Sequence, residues 1–169
     1  MKQAWYALRV KPYREKSVRQ RLEAEGLEAY LPLVRVQPVN PRSAKVKAYF
    51  PGYIFVHADL KHLGMNKLNW MPGALGLVEF GGIAAVVPDN LIHEIRQLVE
   101  QINEAGGLTR FELAPGDRVR IVEGPFAGYE AIFDTHLPDK DRVQVLLAFL
   151  SQSPQPVQLS SDAVEKLKR

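Results

Sequence analysis

Cysteine is absent from all 169 residues. Its absence excludes a disulfide frame and thiolate chemistry, and it fits a reducing cytoplasm. A run of about 18 apolar residues is also missing, so no transmembrane helix is expected. The start, Met1-Lys2-Gln3-Ala4-Trp5-Tyr6, lacks a signal-peptide core and moves straight into strand-like sequence. HExxH, P-loop and GxSxG patterns are lacking too. Of the four histidines, His57 and His62 lie close to Asp59, but the further ligands a metal site needs cannot be found. No enzyme, metal or cofactor is expected.

What is present is a folded composition, 46% hydrophobic and 24% charged. The net charge of +3 is unevenly spread. Residues 1–50 hold 11 Lys+Arg against 4 Glu, a balance of +7, whereas residues 51–169 hold 11 Lys+Arg against 15 Asp+Glu, a balance of −4. A basic front half is suited to approach a polyanion.

The most informative stretch is Tyr49-Phe50-Pro51-Gly52-Tyr53-Ile54-Phe55-Val56. From Tyr53 onward it reads as a strand. Alternation puts Tyr53 and Phe55 on one face, and Ile54 and Val56 on the other. Both faces are therefore apolar. Either the strand is buried on both sides, or one face is kept for a partner.

Along the chain, Ala4 to Val10 reads as a strand anchored by Trp5 and Tyr6. Pro12 suits the first turn of a helix that runs to about Glu25 and stops at Gly26. Val18 and Leu22 face the core, while Lys11, Arg14 and Arg21 share another face that can reach phosphates. Leu27 to Val39 is extended but interrupted by Pro32 and Pro38. Asn40-Pro41-Arg42-Ser43 is a turn, and Lys45 to Val56 returns as a strand. The two segments form a long hairpin with Arg42, Lys45 and Lys47 at its tip. A short helix spans Leu60 to Trp70. Leu75 to Phe80 and Ile83 to Val87 are strands joined at Gly81-Gly82. Pro88-Asp89 opens an amphipathic helix with Leu91, Ile95, Leu98 and Ile102 on one stripe.

Three units follow: residues 1–102, a linker at 103–113, and residues 114–169. The first is an α+β sandwich over an antiparallel sheet. The last has short strand candidates at Arg118 to Val122, Glu130 to Phe133, Val143 to Phe149 and Pro156 to Leu159, which suggests a small barrel.

Three blocks carry a family resemblance. Trp5-Tyr6 precedes a basic helix. Phe50-Pro51-Gly52-Tyr53-Ile54-Phe55-Val56 follows, and then Gly116-Asp117-Arg118-Val119-Arg120-Ile121-Val122-Glu123-Gly124-Pro125-Phe126-Ala127-Gly128. In this order they resemble the NusG family of transcription elongation factors, the second block its N-terminal (NGN) domain and the third the KOW motif of its SH3-like C-terminal barrel. Val78-Glu79-Phe80-Gly81 and the run from Gly124 to Phe133 look more like the specialised RfaH branch than like housekeeping NusG.

The resemblance implies a transcription elongation and antitermination factor. Its N-terminal domain would bind the clamp helices of the largest RNA polymerase subunit through Phe50, Tyr53 and Phe55, with Trp5 beneath and Ile92 nearby, and so suppress pausing. Lys11, Arg14 and Arg21 would touch the non-template DNA strand. Pro12, Ala24 and Met71-Pro72 depart from the RfaH pattern, and Gly64-Met65-Asn66 stands where that branch has a threonine-rich element for the polymerase gate loop. Through Ile121, Phe126 and Phe149 the barrel would recruit a small-subunit ribosomal protein or the termination factor Rho. For Ile121 and Phe126 plain barrel core is the competing reading.

The RfaH branch also has a rear domain that refolds into a helical hairpin and masks the clamp site. Here the barrel is expected as the resting form, because Ser153-Pro154-Gln155-Pro156 cannot continue a helix. A cytoplasmic monomer without membrane contact is expected. A general NusG-type factor, or a ribosome-associated RNA-binding KOW protein, remains the alternative.

Overall fold

The computed structural model describes residues 3–36, 46–107 and 139–152. A five-stranded antiparallel sheet forms its centre. β1 (Ala4–Val10) is the middle strand and pairs with β5 (Tyr53–Ala58) from Ala4↔Ala58 to Arg9↔Tyr53. β2 (Glu28–Tyr30) borders β5 on the outside. On its other side β1 pairs with β6 (Ala74–Leu77) and, nearer its start, with β9 (Val86–Val87). Two small hairpins stand apart, β3 (Leu33–Arg35) with β4 (Val46–Ala48) and β7 (Glu79–Phe80) with β8 (Ile83–Ala84).

The period of two expected for β1 and β5 gives the sheet two apolar faces. Leu8, Val10, Ile54, Val56 and Ala58 point to one. Helix α1 (Glu15–Ala24) closes that face with Val18 and Leu22, together with the short helices α2 (Leu60–Leu63) and α3 (Met65–Asn69). Trp5, Ala7 and Phe55 point to the other face. There α4 (Asp89–Glu104) packs with Leu91, Ile92, Ile95, Val99 and Ile102. The layered α+β arrangement expected from the sequence is what these elements build.

Several boundaries differ from expectation, each for a local reason. α1 starts at Glu15, not at Pro12, because Tyr13 adopts φ 64 and breaks the helical path. Lys11 therefore precedes the helix and Arg14 is its cap, so the stripe Lys11, Arg14, Arg21 is not a helical one. The stop at Gly26 holds. Gly26 has φ 80, its N–H bonds Glu23 O, and Leu27 N–H bonds Leu22 O, which is a Schellman cap. The return strand is interrupted at Phe50-Pro51-Gly52-Tyr53. Gly52 at φ 85 and a 3.2 Å bond from Tyr53 N–H to Phe50 O make this a type II turn. The helix expected over Leu60 to Trp70 is split at Gly64, which has φ 87.

The largest correction concerns Val143 to Phe149. This run is not a strand; it lies inside helix α5 (Asp139–Gln152). Arg142, Leu146, Phe149 and Leu150 are buried at spacings of four, three and one, a helical stripe. Asp139 and Asp141 occupy the first turn, where carboxylates suit the helix dipole. The prolines at 154 and 156 follow α5 and do not interrupt it. The barrel expected as the resting form is thus overturned at these residues. The other barrel strands, Ile121, Phe126, and the tip residues Arg42 and Lys45 lie outside the described residues.

Candidate docking face and nucleic-acid surface

The sequence-selected docking residues converge. Trp5, Phe50, Phe55 and Ile92 belong to one buried cluster, and half-buried Tyr53 packs against it. Three elements bring them together: β1 supplies Trp5, the β4–β5 turn and β5 supply Phe50, Tyr53 and Phe55, and α4 supplies Ile92. Aromatic edges set their geometry. Phe50 meets Phe55 at 6.0 Å and 87°, and Tyr49 at 5.0 Å and 77°. Such edge-to-face pairs suit the ring quadrupoles. Phe55 also lies 6.3 Å from Tyr30. Burial raises the Tyr53 phenol pKa above its ordinary value, and nearby Arg9 opposes the shift.

α5 completes the cover of this face. Leu146 and Leu150 are fully buried in the same cluster as Phe50 and Phe55, and Phe149 is 6% exposed. Phe149, expected as an exposed barrel aromatic, is therefore turned inward. A polar clasp joins α5 to β4 and the turn after it. Arg142, 1% exposed, lies 4.2 Å over the Tyr49 ring, and its Nε donates to the Tyr49 carbonyl at 3.1 Å. Arg142 also donates to Asp139, whose other oxygen pairs with Lys47 Nζ at 2.8 Å. Sequence reading missed Arg142 and Asp139; a charged residue between apolar neighbours at helical spacing was the available signal.

A second cluster rims the face. Arg96 lies 4.3 Å over Tyr30 and 5.7 Å over Trp5, and pairs with Glu28 at 3.5 Å. His57 stacks on Trp5 at 4.9 Å, with Glu28 3.4 Å from its Nδ1. Burial pushes the Tyr30 phenol up to about 12, with Arg96 pulling the other way. The three residues weighed for a metal are engaged elsewhere or apart: Asp59 caps α2 by accepting from Lys61 and His62 backbone N–H, and the His62 residue is exposed.

The cations Lys11, Arg14 and Arg21 are exposed around α1, on the opposite side of the sheet from α4 and α5. They do not form one compact patch: Lys11 and Arg14 sit at the start of α1 and Arg21 in its last turn. A groove of about 700 Å³ opens beside Lys11, with Arg9, Asn66, Asn69 and Trp70 on its walls.

A family model described as "Transcription termination factor nusG" matches residues 3–96. The chain is 28% identical over 174 residues to the transcription termination/antitermination protein NusG of Staphylococcus aureus, covering 96% of this chain and 95% of that one. It is 27% identical over 125 residues to the protein of the same name from Pseudomonas aeruginosa, covering 72% and 68%. A solved structure, "Domain interaction in Thermotoga maritima NusG", aligns with a TM-score of 0.45 and 24% identity over 75% of this chain and 76% of that one. On a family match that takes in the whole sheet and the first half of α4, the chain belongs to the NusG family.

Proposed function

We propose that the protein is a transcription elongation and antitermination factor of the specialised, RfaH-like kind. Its front module docks on the clamp helices of RNA polymerase through Phe50, Tyr53 and Phe55, with Trp5 and Ile92 supporting them. The observation that carries this reading is the nature of the cover. One face of the sheet is closed by α1, α2 and α3 from the same module. The other is completed, over α4 and β5, by a single helix from residues 139–152. A surface that accepts a helix in cis has the shape and chemistry to accept a helical arm in trans. α5 and the polymerase then compete for one groove, and the factor is silent until α5 leaves. That competition favours a regulated factor over one that acts on every gene.

Lys11, Arg14 and Arg21 approach the non-template DNA strand on the opposite side of the module. When α5 is released, the rear KOW domain recruits a small-subunit ribosomal protein or Rho through Ile121, Phe126 and Phe149.

Elongation by purified polymerase over a pause site tests the docking, with Leu146→Ala, which loosens α5, as the background in both arms. Phe55 is fully buried and its truncation costs roughly 3–5 kcal/mol of fold stability, so Tyr53→Ala is the cleaner change. Tyr53→Ala is expected to lose pause suppression while its circular dichroism stays that of wild type. Undiminished pause suppression by the variant would mean that the docking face is elsewhere.

A further inference from the structure

The turn Phe50-Pro51-Gly52-Tyr53 carries two residues of the docking face, so whatever fixes the turn fixes them. Its closing bond, from Tyr53 N–H to Phe50 O, makes no use of the Gly52 N–H or carbonyl. Both are met from the connection between β1 and α1. The Gly52 carbonyl accepts from Val10 N–H at 2.8 Å, one step past the last β1–β5 pair, Arg9↔Tyr53. The Gly52 N–H donates to Glu15 Oε2 at 3.0 Å.

Glu15 is the first residue of α1, which covers the face of the sheet opposite to α4 and α5. An acid in the first turn of a helix suits the dipole wherever it points. Its bond to Gly52 is a separate matter. A partly buried N–H left without an acceptor loses its hydration and gains nothing in return. The acceptor here is a carboxylate, so the bond is of the stronger, charge-assisted kind. On the other flank of the turn, Tyr49 N–H donates to Pro32 O at 3.0 Å, and the Tyr49 carbonyl accepts from Arg142 of α5. The turn is a junction: α1 holds it at Gly52 and α5 holds it at Tyr49.

We propose that Glu15 is a positioning residue for the docking face, setting it from the opposite side of the sheet. The chemistry is the choice of turn. Types I and II differ by a flip of the central peptide, here Pro51–Gly52, and glycine is at home in either. The flip carries the Gly52 N–H away from its acceptor. The Glu15 carboxylate therefore holds the peptide in the type II form, and with it Phe50, Tyr53 and the Tyr49 carbonyl that Arg142 uses. What Glu15 does for a polymerase arm rests on the proposed docking; what it does for α5 stands on these bonds alone.

Amide hydrogen exchange on the full-length protein tests this with three variants. Glu15→Gln keeps the reach and an acceptor oxygen but loses the charge. Glu15→Asp keeps the charge but is one methylene shorter. Glu15→Ala keeps neither. In Glu15→Ala and Glu15→Asp the Gly52 N–H is expected to exchange roughly tenfold faster, and the amides of residues 139–152 several-fold faster. Glu15→Gln is expected to restore most of both. A role confined to helix charge gives the reverse order, with Asp near wild type and Gln near Ala, and that order overturns the proposal. Wild-type exchange over residues 139–152 in Glu15→Ala overturns it too. In the Leu146→Ala background, Glu15→Ala is expected to weaken polymerase binding several-fold and Glu15→Gln to recover it. If Glu15→Ala changes nothing there while Tyr53→Ala still weakens binding, Glu15 has no part in docking. If Tyr53→Ala is equally silent, the docking reading fails, and exchange alone judges Glu15.

Discussion

Leu146→Ala is the most direct way to ask whether α5 guards the docking face. Leu146 is fully buried against Phe50, Phe55 and their neighbours. Truncating a buried leucine costs about 2–5 kcal/mol, depending on how far the site collapses. The lower end applies here, because α5 is a single helix over a face and its neighbours can settle into the gap. About 2 kcal/mol changes the ratio of covered to uncovered face roughly 30-fold. A ligand that needs the uncovered face binds with an apparent constant equal to its intrinsic constant divided by the uncovered fraction. Polymerase affinity is therefore expected to rise, by up to roughly 30-fold, and to stop rising once the face is mostly uncovered. Titration of purified polymerase measures this, with amide exchange over residues 139–152 as the internal check. Gln144→Ala, on the exposed side of α5, should change neither. If Leu146→Ala speeds exchange in α5 yet leaves polymerase affinity where it was, α5 and the polymerase do not compete and the proposed regulation fails.

Two further outcomes follow from the clasp and from Tyr30. Asp139→Asn removes the carboxylate between buried Arg142 and Lys47, which should loosen α5 by about 1–3 kcal/mol; Lys47→Ala, losing a partly exposed pair, should cost at most about 1 kcal/mol, and amide exchange over residues 139–152 ranks the two. The Tyr30 phenol is raised from 10.0 to about 12 by burial, so its contribution to stability is complete below pH 10 and is lost as pH climbs toward 12. Tyr30→Phe keeps the ring beside Arg96 and Phe55 and should flatten the alkaline limb of Tm against pH over that window.

The elements legible in the sequence were those whose pattern is local and whose neighbours agree with it. β1 and β5 alternate, α4 has a helical stripe, and Gly26 sits where positive φ is needed. The two-faced character of β5 was visible before any partner was known. Val78 and Ala85 were read through as strand, although each marks a break where the chain leaves one sheet for another: Val78 N–H bonds Ala7 O, and Ala85 N–H bonds Val78 O. Such breaks are decided by distant pairing. Trp70, the last residue of the helix expected from Leu60, caps α3 and faces water. The run from Val143 to Leu150 has apolar residues at both a period of two and a period near 3.6, so periodicity leaves strand and helix equal. What separates them lies some 90 residues earlier in the chain, in Tyr49, Phe50 and Phe55, which a helix can cover and which only the fold brings beside it.

That dependence bears on the regulation itself. α5 has only 14 residues, a length at which an isolated helix in water is marginal. Its order comes from the face it covers, through Leu146, Phe149, Leu150 and the Arg142 clasp. Anything that takes the face removes the reason for the helix, so uncovering the docking surface and dissolving α5 are one event. On the proposed docking, release of the face by α5 and its capture by a helical arm would be one exchange, and the sequence of α5 would return to a chain whose own period is equally suited to a strand.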